Sequence, residues 1–391
     1  MRKKVAILGS TGSIGCNAIE VIGALSPAFE VVAISAHSKT TQFCEQIQAV
    51  RPKYAAMTDP DAARDCRRLN NVDVEILAGP DSLVEIASMD EVDIVLCAVV
   101  GAAGLPAALA AAKAGKTLAI ANKEPLVIAG ELLTETARQH GATLLPVDSE
   151  HSAVFQAMQA GNPAEVDKII LTGSGGPFRT ADIEQMRRAT VRQALNHPTW
   201  TMGPKITVDS ASMMNKALEI IEAVWLFGLS VEKIDILIHP ESIVHSMVEF
   251  VDGSVIAQLG TPDMKLPIQY ALTYPERVRG NCDRLRLDQL GRLTFQPPDM
   301  RKFRALALGF EAARSGGSVP VVFNAANEAA VEAFLAGRIA FGKIVDLIEH
   351  CLDTHTNQTR LSLEELLDID NWARRETTRQ LAMSPRTVIQ K

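Results

Sequence analysis

The stretch Val5-Ala6-Ile7-Leu8-Gly9-Ser10-Thr11-Gly12-Ser13-Ile14-Gly15 runs from an apolar strand through a glycine-rich turn into a helical pattern. Four apolar residues with no polar alternation read as a strand covered on both faces. The glycines stand in G-x-x-G-x-x-G order, a variant of the dinucleotide fingerprint. Glycine there permits a tight turn and lets backbone N–H groups approach a pyrophosphate at a helix N-terminus. A tight turn that binds nothing is the alternative, and the strand before and helix after favour the nucleotide.

Further strand signals follow at Val31–Ser35, Val74–Leu77, Ile94–Val100, Thr117–Ala121 and Thr143–Val147, with Ala-rich helical stretches such as Leu105–Ala114 between them. This alternation is the doubly wound βαβ pattern of a Rossmann-like domain, expected over residues 1–149. The second strand ends Ile34-Ser35-Ala36-His37-Ser38-Lys39. NAD enzymes usually place an acid here for the ribose 2′-hydroxyl. None is present, and Ser38 and Lys39 suit a 2′-phosphate, so NADPH is expected over NADH. Lys39 alone reads equally as a solvated turn lysine.

The chain has 391 residues, more than one hydrophobic core usually serves. Only 5% are aromatic, while Ala, Val, Ile and Leu abound, which suits α/β layers and helix packing. The net charge of -7 and the lack of a Lys/Arg block argue against a nucleic-acid partner. The six cysteines are scattered without a C-x-x-C pair, which argues against disulfides and zinc and for a reducing compartment. Met1-Arg-Lys-Lys is followed by only Val5–Leu8 before Gly9, too short for a signal peptide. No run approaches the roughly 18 apolar residues of a membrane span. A cytoplasmic protein without a membrane partner is expected.

The middle of the chain is rich in turn residues, at 172–179, 196–205 and 209–222, between strand signals at Lys168–Leu171, Ile234–Ile238, His245–Phe250 and Ser254–Leu259. Such loops are where sites are displayed. Residues 150–274 are expected to form a central α/β catalytic and metal-binding domain with a lid loop. Residues 275–300 read as a linker within the irregular stretch Pro262–Pro298. Residues 301–391 read as a C-terminal helical bundle, with helical spacing at Phe303–Arg314, Phe323–Leu335, Gly342–His350, Leu363–Leu367 and Asn371–Leu381 and stop signals at Gly316-Gly317 and Gly337.

Asp148-Ser149-Glu150-His151 follows an apolar strand, and two carboxylates two residues apart at a strand end can converge on one hard cation. Asn215, Lys216 and Glu219 share a helix face in the run Met214–Phe227. Oxygen donors without a Cys/His set point to Mg²⁺ or Mn²⁺. Gly173-Ser174-Gly175-Gly176-Pro177 reads as an anion-binding nest or a plain turn. In His197-Pro198-Thr199-Trp200-Thr201-Met202-Gly203, Trp200 reads as a lid over a ligand or as a staple onto the core. His239, His245 and Met247 lie on strand-like runs and read as core or interface residues.

Taken in order, GSTGSIG, Asn122-Lys123-Glu124, Asp148-Ser149-Glu150-His151, LTGSGGPF, HPTWTMG and Met214-Asn215-Lys216-Ala217-Leu218-Glu219 closely resemble the 1-deoxy-D-xylulose 5-phosphate reductoisomerase family. The resemblance implies a metal-dependent rearrangement of that sugar phosphate and its NADPH-dependent reduction to 2-C-methyl-D-erythritol 4-phosphate, in non-mevalonate isoprenoid biosynthesis. It implies Asp148, Glu150 and Glu219 as ligands of a divalent ion (Mn²⁺, Mg²⁺ or Co²⁺) and Lys123 near the reacting oxygens. It places Ser149 and Asn215 on substrate hydroxyls and Ser174, His197, Ser210, Asn215 and Lys216 around the phosphate, with Trp200 and Met202 closing over the substrate. It assigns Thr11, Gly12, Ser13, Ile14, Asn122, Glu124 and Gly203 to NADPH, and it implies a homodimer.

The chain departs from the family pattern in three places. His37-Ser38-Lys39 replaces the common Gly, basic residue and Asn, Ala217 replaces a usual Gly, and Pro204 follows Gly203. A reductase of the semialdehyde or homoserine dehydrogenase type would explain the glycine motif but not D-S-E together with N-K-x-x-E. A non-catalytic NADPH sensor would be suspected only if the carboxylates were broken, and all three are intact.

Overall fold

Strand β1 (Lys3–Leu8) is buried through Val5, Ala6, Ile7 and Leu8, as its unbroken apolar run requires. The computed structural model to which it belongs describes residues 2–383; Met1 and 384–391, the end of the expected helical region, lie outside them. Helix α1 (Ser13–Ala24) follows the glycine turn and buries Gly15, Ala18, Val21 and Ile22 at helical spacing. The alternation continues through β2 (Phe29–Ala36), α2 (Thr40–Val50), β3 (Tyr54–Met57), α3 (Pro60–Leu69), β4 (Glu75–Ala78), α4 (Asp81–Ser88), β5 (Ile94–Cys97), α5 (Leu105–Lys113), β6 (Thr117–Ile120), α6 (Glu124–His140), β7 (Thr143–Pro146) and α7 (Ser149–Ala157).

These strands form one parallel seven-stranded sheet in the order β4-β3-β2-β1-β5-β6-β7. The order reverses between β1 and β5, and doubly wound sheets bind their ligands in the crevice at the carboxyl ends of such a pair. Gly9 turns the chain there with φ +89°, and an added Cβ would lie 2.5 Å from the Ala98 carbonyl oxygen at the end of β5. A Cβ on Gly15 would lie 2.4 Å from the Gly9 oxygen. The turn is thus closed on itself and against β5, leaving the N-terminus of α1 bare.

The chain then forms β8 (Val166–Gly173), α8 (Ile183–Arg187), α9 (Val191–Ala194), α10 (Pro204–Ser212), α11 (Met214–Phe227), β9 (Ile234–Ile238), β10 (Val244–Phe250), β11 (Val255–Leu259) and α12 (Lys265–Thr273). It ends with α13 (Leu287–Leu290), α14 (Arg304–Ser315), α15 (Val319–Leu335), α16 (Lys343–Thr354) and α17 (Leu363–Met383). The second sheet has the order β11-β10-β8-β9, with only β8 and β9 parallel. The chain divides into two compact units. One comprises Met1–Pro125, Glu131–Ser152 and Asp263–Arg284; the other comprises Leu126–Gly130, Ala153–Pro262 and Leu285–Lys391. The second sheet and helices α14 to α17 belong to the second unit.

The structure corrects four local expectations. β3 had no strand signature, because Tyr-Ala-Ala-Met is weak in β propensity and is held by pairing with β2 and β4. β5 stops at Cys97 rather than Val100, since the backbone leaves the sheet at the crevice and Val100 is 74% exposed. The stretch from Pro262 is not all irregular. α12 buries Ile268, Tyr270, Ala271 and Leu272, belongs to the first unit and pairs Lys265 with Glu20 of α1 at 2.8 Å. Its Pro267 lies in the first turn, where a missing N–H costs no helical hydrogen bond. Finally, the two short helices expected at the C-terminus are one helix, α17.

The Gly15 contact generates a prediction. Gly15→Ala should weaken dinucleotide binding at least about tenfold, or about 1.4 kcal/mol, with the far-UV circular dichroism unchanged. Fluorescence titration checks this, and an unchanged Kd would contradict the close approach.

Candidate active site

The nucleotide end of the first unit is built from two loops. Gly12 caps α1 in extended conformation with no acid in the first turn, so the positive end of the helix is open to a phosphate. Lys39 Nζ donates to the Thr11 carbonyl at 3.3 Å, which turns this cation onto the glycine loop. Ser38 is exposed, and His37 Nδ1 lies 2.8 Å from Thr58 Oγ1. After β6, Asn122 is 8% exposed, and neither its Oδ1 nor its Nδ2 has a partner among the described residues. A buried amide left bare on both atoms is costly in isolation and suited to a ligand carrying both a donor and an acceptor. Dinucleotide carboxamide chemistry fits. Glu124, also buried, opens α6, where its charge meets the helix's positive end.

Next to it lie the acids. β6 and β7 pair in parallel, so Asn122-Lys123-Glu124 and Asp148-Ser149-Glu150 leave the sheet side by side. Asp148 Oδ1 accepts from the backbone N–H groups of Glu150 at 3.0 Å and His151 at 3.3 Å, capping α7. Its Oδ2 pairs with the buried Lys123 ammonium. Ser149 Oγ donates to Glu150 at 2.6 Å. An oxygen-only donor set on a rigid strand end suits a hard divalent cation.

The second unit gathers a different set. Met213, in left-handed conformation (φ 61°), joins α10 to α11. From the first turn of α11, Asn215 Nδ2 donates to Glu219 Oε1 at 2.5 Å and the buried Lys216 ammonium pairs with Glu219 Oε2. The glycine turn after β8 packs on this corner. A Cβ on Gly173 would lie 3.1 Å from Lys216 Cε, and one on Gly176 would lie 2.7 Å from the Ser210 carbonyl oxygen. The backbone comes close enough to bring Ser174, Ser210 and Lys216 together.

His197 completes this group with an assigned tautomer. Its Nδ1 accepts from the backbone N–H groups of Thr199 at 3.1 Å and Trp200 at 2.9 Å, so the ring proton sits on Nε2. Nε2 then donates to Ser174 Oγ at 3.1 Å, and Gly176 N–H donates to the same oxygen at 3.2 Å. With both acceptor positions of Oγ used, the Ser174 hydroxyl proton is a donor for an incoming oxygen. Burial pushes the His197 pKa below its ordinary 6.5. Trp200 is half-buried and its ring lies 6.3 Å from that of His245, tilted.

The sequence-predicted residues therefore sit beyond the carboxyl ends of β1, β2, β6 and β7 in the first unit, and in the second on the turn after β8, the loop before α10 and the α10–α11 corner. His239 and His245 are buried as expected of core residues. Gly203 caps α10. Sequence reasoning missed Asp209, 1% exposed, whose only sign was its place in a polar segment.

The fold and site define an α/β oxidoreductase with a dinucleotide crevice, an acid cluster and an anion-binding corner. Residues 5–130 match the 1-deoxy-D-xylulose 5-phosphate reductoisomerase domain, residues 144–227 the C-terminal domain of that enzyme, and residues 259–376 the DXP reductoisomerase C-terminal domain. Relatives of that name from Chloroherpeton thalassium and Trichlorobacter lovleyi are both 50% identical; the matches cover 95% of this chain and 97% and 96% of theirs. A crystal structure of DOX-P reductoisomerase in complex with NADPH, fosmidomycin and magnesium superposes with TM-score 0.93 at 44% identity, covering 97% of this chain and 98% of its own. The Zymomonas mobilis enzyme in complex with NADPH gives 0.91 at 43%, covering 97% and 99%. The chain belongs to the 1-deoxy-D-xylulose 5-phosphate reductoisomerase family, whose members are NADPH-dependent oxidoreductases.

The His197 geometry predicts a neutral ring protonated on Nε2 at pH 7 and titrating below 6.5. Because the folded pKa is depressed, its share of loop stability is complete above the ordinary value and is lost as pH falls through the lower folded one. Imidazole ¹⁵N chemical shifts against pH check this; a midpoint at or above 6.5, or an Nδ1–H tautomer, would contradict it.

Proposed function

We propose that the chain rearranges 1-deoxy-D-xylulose 5-phosphate to an aldehyde and reduces that aldehyde with NADPH, giving 2-C-methyl-D-erythritol 4-phosphate for isoprenoid biosynthesis. The observation that carries this reading is the completeness of the polar set, with lysine–carboxylate pairs at the acids and a hydroxyl donor prepared at the anion corner, in a chain of that family.

Thr11, Gly12, Ser13 and Ile14 take the pyrophosphate, Ser38 and Lys39 the 2′-phosphate side, and Asn122, Glu124 and Gly203 the nicotinamide half. Asp148, Glu150 and Glu219 hold one divalent cation, magnesium, manganese or cobalt. When bound, that cation acts as a Lewis acid on the substrate's carbonyl and neighbouring hydroxyl oxygens. Lys123 lies beside the same oxygens and offsets the negative charge that develops there. Ser149 and Asn215 orient the hydroxyls. Ser174, His197, Ser210, Asn215 and Lys216 bind the phosphate, whose remote binding energy orients the reacting carbons. Trp200 and the loop to Gly203 cover the substrate and exclude water. NADPH held by these residues would supply the hydride that reduces the aldehyde carbon.

On this reading residues 1–149 carry the nucleotide contacts apart from Gly203, and also Lys123, Asp148 and Ser149 of the metal and substrate set; residues 150–274 carry the rest of that set, and 301–391 form the helical region after the 275–300 linker. The protein acts as a cytoplasmic homodimer, without nucleic acid or membrane. The dimer reading is supported by β11, a sheet edge whose Val255 and Ile256 are 48% and 39% exposed.

Two predictions follow from this assignment. Glu219→Gln should reduce turnover at least about 10³-fold, about 4 kcal/mol in the barrier, while fluorescence titration finds NADPH binding within about twofold of the parent; parallel loss of both would contradict separate sites. NADPH should also exceed NADH in kcat/KM by at least about 10-fold. Comparable values would contradict the assignment of Ser38 and Lys39.

A further inference from the structure

A carboxylate outside the proposed site occupies the core of the second unit. Asp209, on α10, is 1% exposed. Its Oδ2 pairs with Lys205 Nζ one helical turn earlier at 2.9 Å, and its Oδ1 accepts from Asn327 Nδ2 of α15 at 3.0 Å. Asn327 is fully buried. Its neighbour Glu328 is bound in turn to Arg374 of α17 at 2.6 Å, and Arg374 also holds Asp370. α15 is therefore tied to α10 through Asn327 and to α17 through the adjacent Glu328.

α10 is the element on which the anion corner depends. Gly203, the last residue of the Trp200 loop, caps its start. The backbone of Gly176 packs against Ser210, the residue after Asp209. Its last residue precedes Met213, which launches α11 with Asn215, Lys216 and Glu219. A short helix of this kind, from Pro204 to Ser212, has little stability of its own and takes its register from what it is packed and bonded to. A charge at this depth tolerates no other register, because a slip would leave it unpaired.

We propose that Asp209 is a positioning residue for the substrate's phosphate. Gripped by Lys205 and Asn327, it fixes the register of α10 and so places Ser210, the glycine turn and the Trp200 loop around the anion. This rests on the assignment of the phosphate to Ser174, His197, Ser210 and Lys216 made above. Asp209 itself touches neither substrate nor cofactor.

The test compares the parent with Asp209→Asn, Asn327→Ala, Lys205→Met and Lys205→Arg. Kinetics with 1-deoxy-D-xylulose 5-phosphate, NADPH titration, thermal melting and hydrogen–deuterium exchange are all measured on the full chain. Asp209→Asn and Lys205→Met should raise KM for the sugar phosphate at least about 10-fold, with smaller changes in kcat and in NADPH affinity, to which this segment contributes only Gly203, and with faster exchange confined to residues 197–212. Lys205→Arg, which keeps the ion pair, should restore KM. Asp209→Asn combined with Asn327→Ala should be less than additive. A folded Asp209→Asn with parental KM, or Lys205→Arg as impaired as Lys205→Met, would overturn the proposal. Should Asp209→Asn fail to fold, the two Lys205 variants decide alone. Absence of turnover in the parent would sink the reaction assigned above instead, and the exchange data would still decide whether Asp209 holds α10.

Discussion

Each unit of this protein buries a lysine against a carboxylate, Lys123 against Asp148 in the first and Lys216 against Glu219 in the second. A buried ammonium or carboxylate left alone costs on the order of 3–5 kcal/mol, so neither partner of either pair can move independently. That constraint fixes the rest of the site. Lys123 and Asp148 stand at the ends of adjacent parallel strands, and Ser149 and Glu150 follow Asp148 into α7. Lys216 and Glu219 occupy one helix face, and the Lys216 stem runs close beside Gly173, the last residue of β8, where an added Cβ would lie 3.1 Å from Lys216 Cε. On the proposed assignment, the charges that secure the fold are also the ones that serve the sugar phosphate and the divalent cation.

The remaining polar groups are arranged so that hydrogen-bond capacity is directed at a ligand. His197 spends its Nδ1 on two backbone donors and its Nε2–H on Ser174, which leaves the Ser174 proton for an anion. Asn122, just after β6, has no partner for either amide atom among the described residues. Groups prepared in this way do not have to reorganise when the ligand arrives, which is the physical basis of electrostatic preorganisation.

Much of this was legible in the sequence, and the reasons differ by element. The β1 turn was readable because Gly9 and Gly15 are forced by backbone contacts that any side chain would break. Met214–Phe227 was readable to the residue, since its apolar positions repeat at helical spacing. β3 was not, because pairing with two neighbours rather than side-chain preference makes Tyr54–Met57 a strand. α12 was hidden by Pro267 and by burial on several sides, which erases periodicity. The tautomer of His197 and the grip of Asn327 on Asp209 were beyond reach, since both arise from hydrogen bonds that chain order does not encode. Family resemblance linked Asp148 and Glu150 with Glu219; spacing alone left them as two separate motifs.

The central claim is that nucleotide, divalent cation and sugar phosphate act together on this chain. The most direct measurement is the loss of NADPH absorbance when 1-deoxy-D-xylulose 5-phosphate is added to metal-stripped protein, before and after Mg²⁺ or Mn²⁺ is restored. The account predicts no oxidation before the metal and steady oxidation after it, with 2-C-methyl-D-erythritol 4-phosphate accumulating in step. Oxidation at the same rate without metal, or none in its presence, would contradict it.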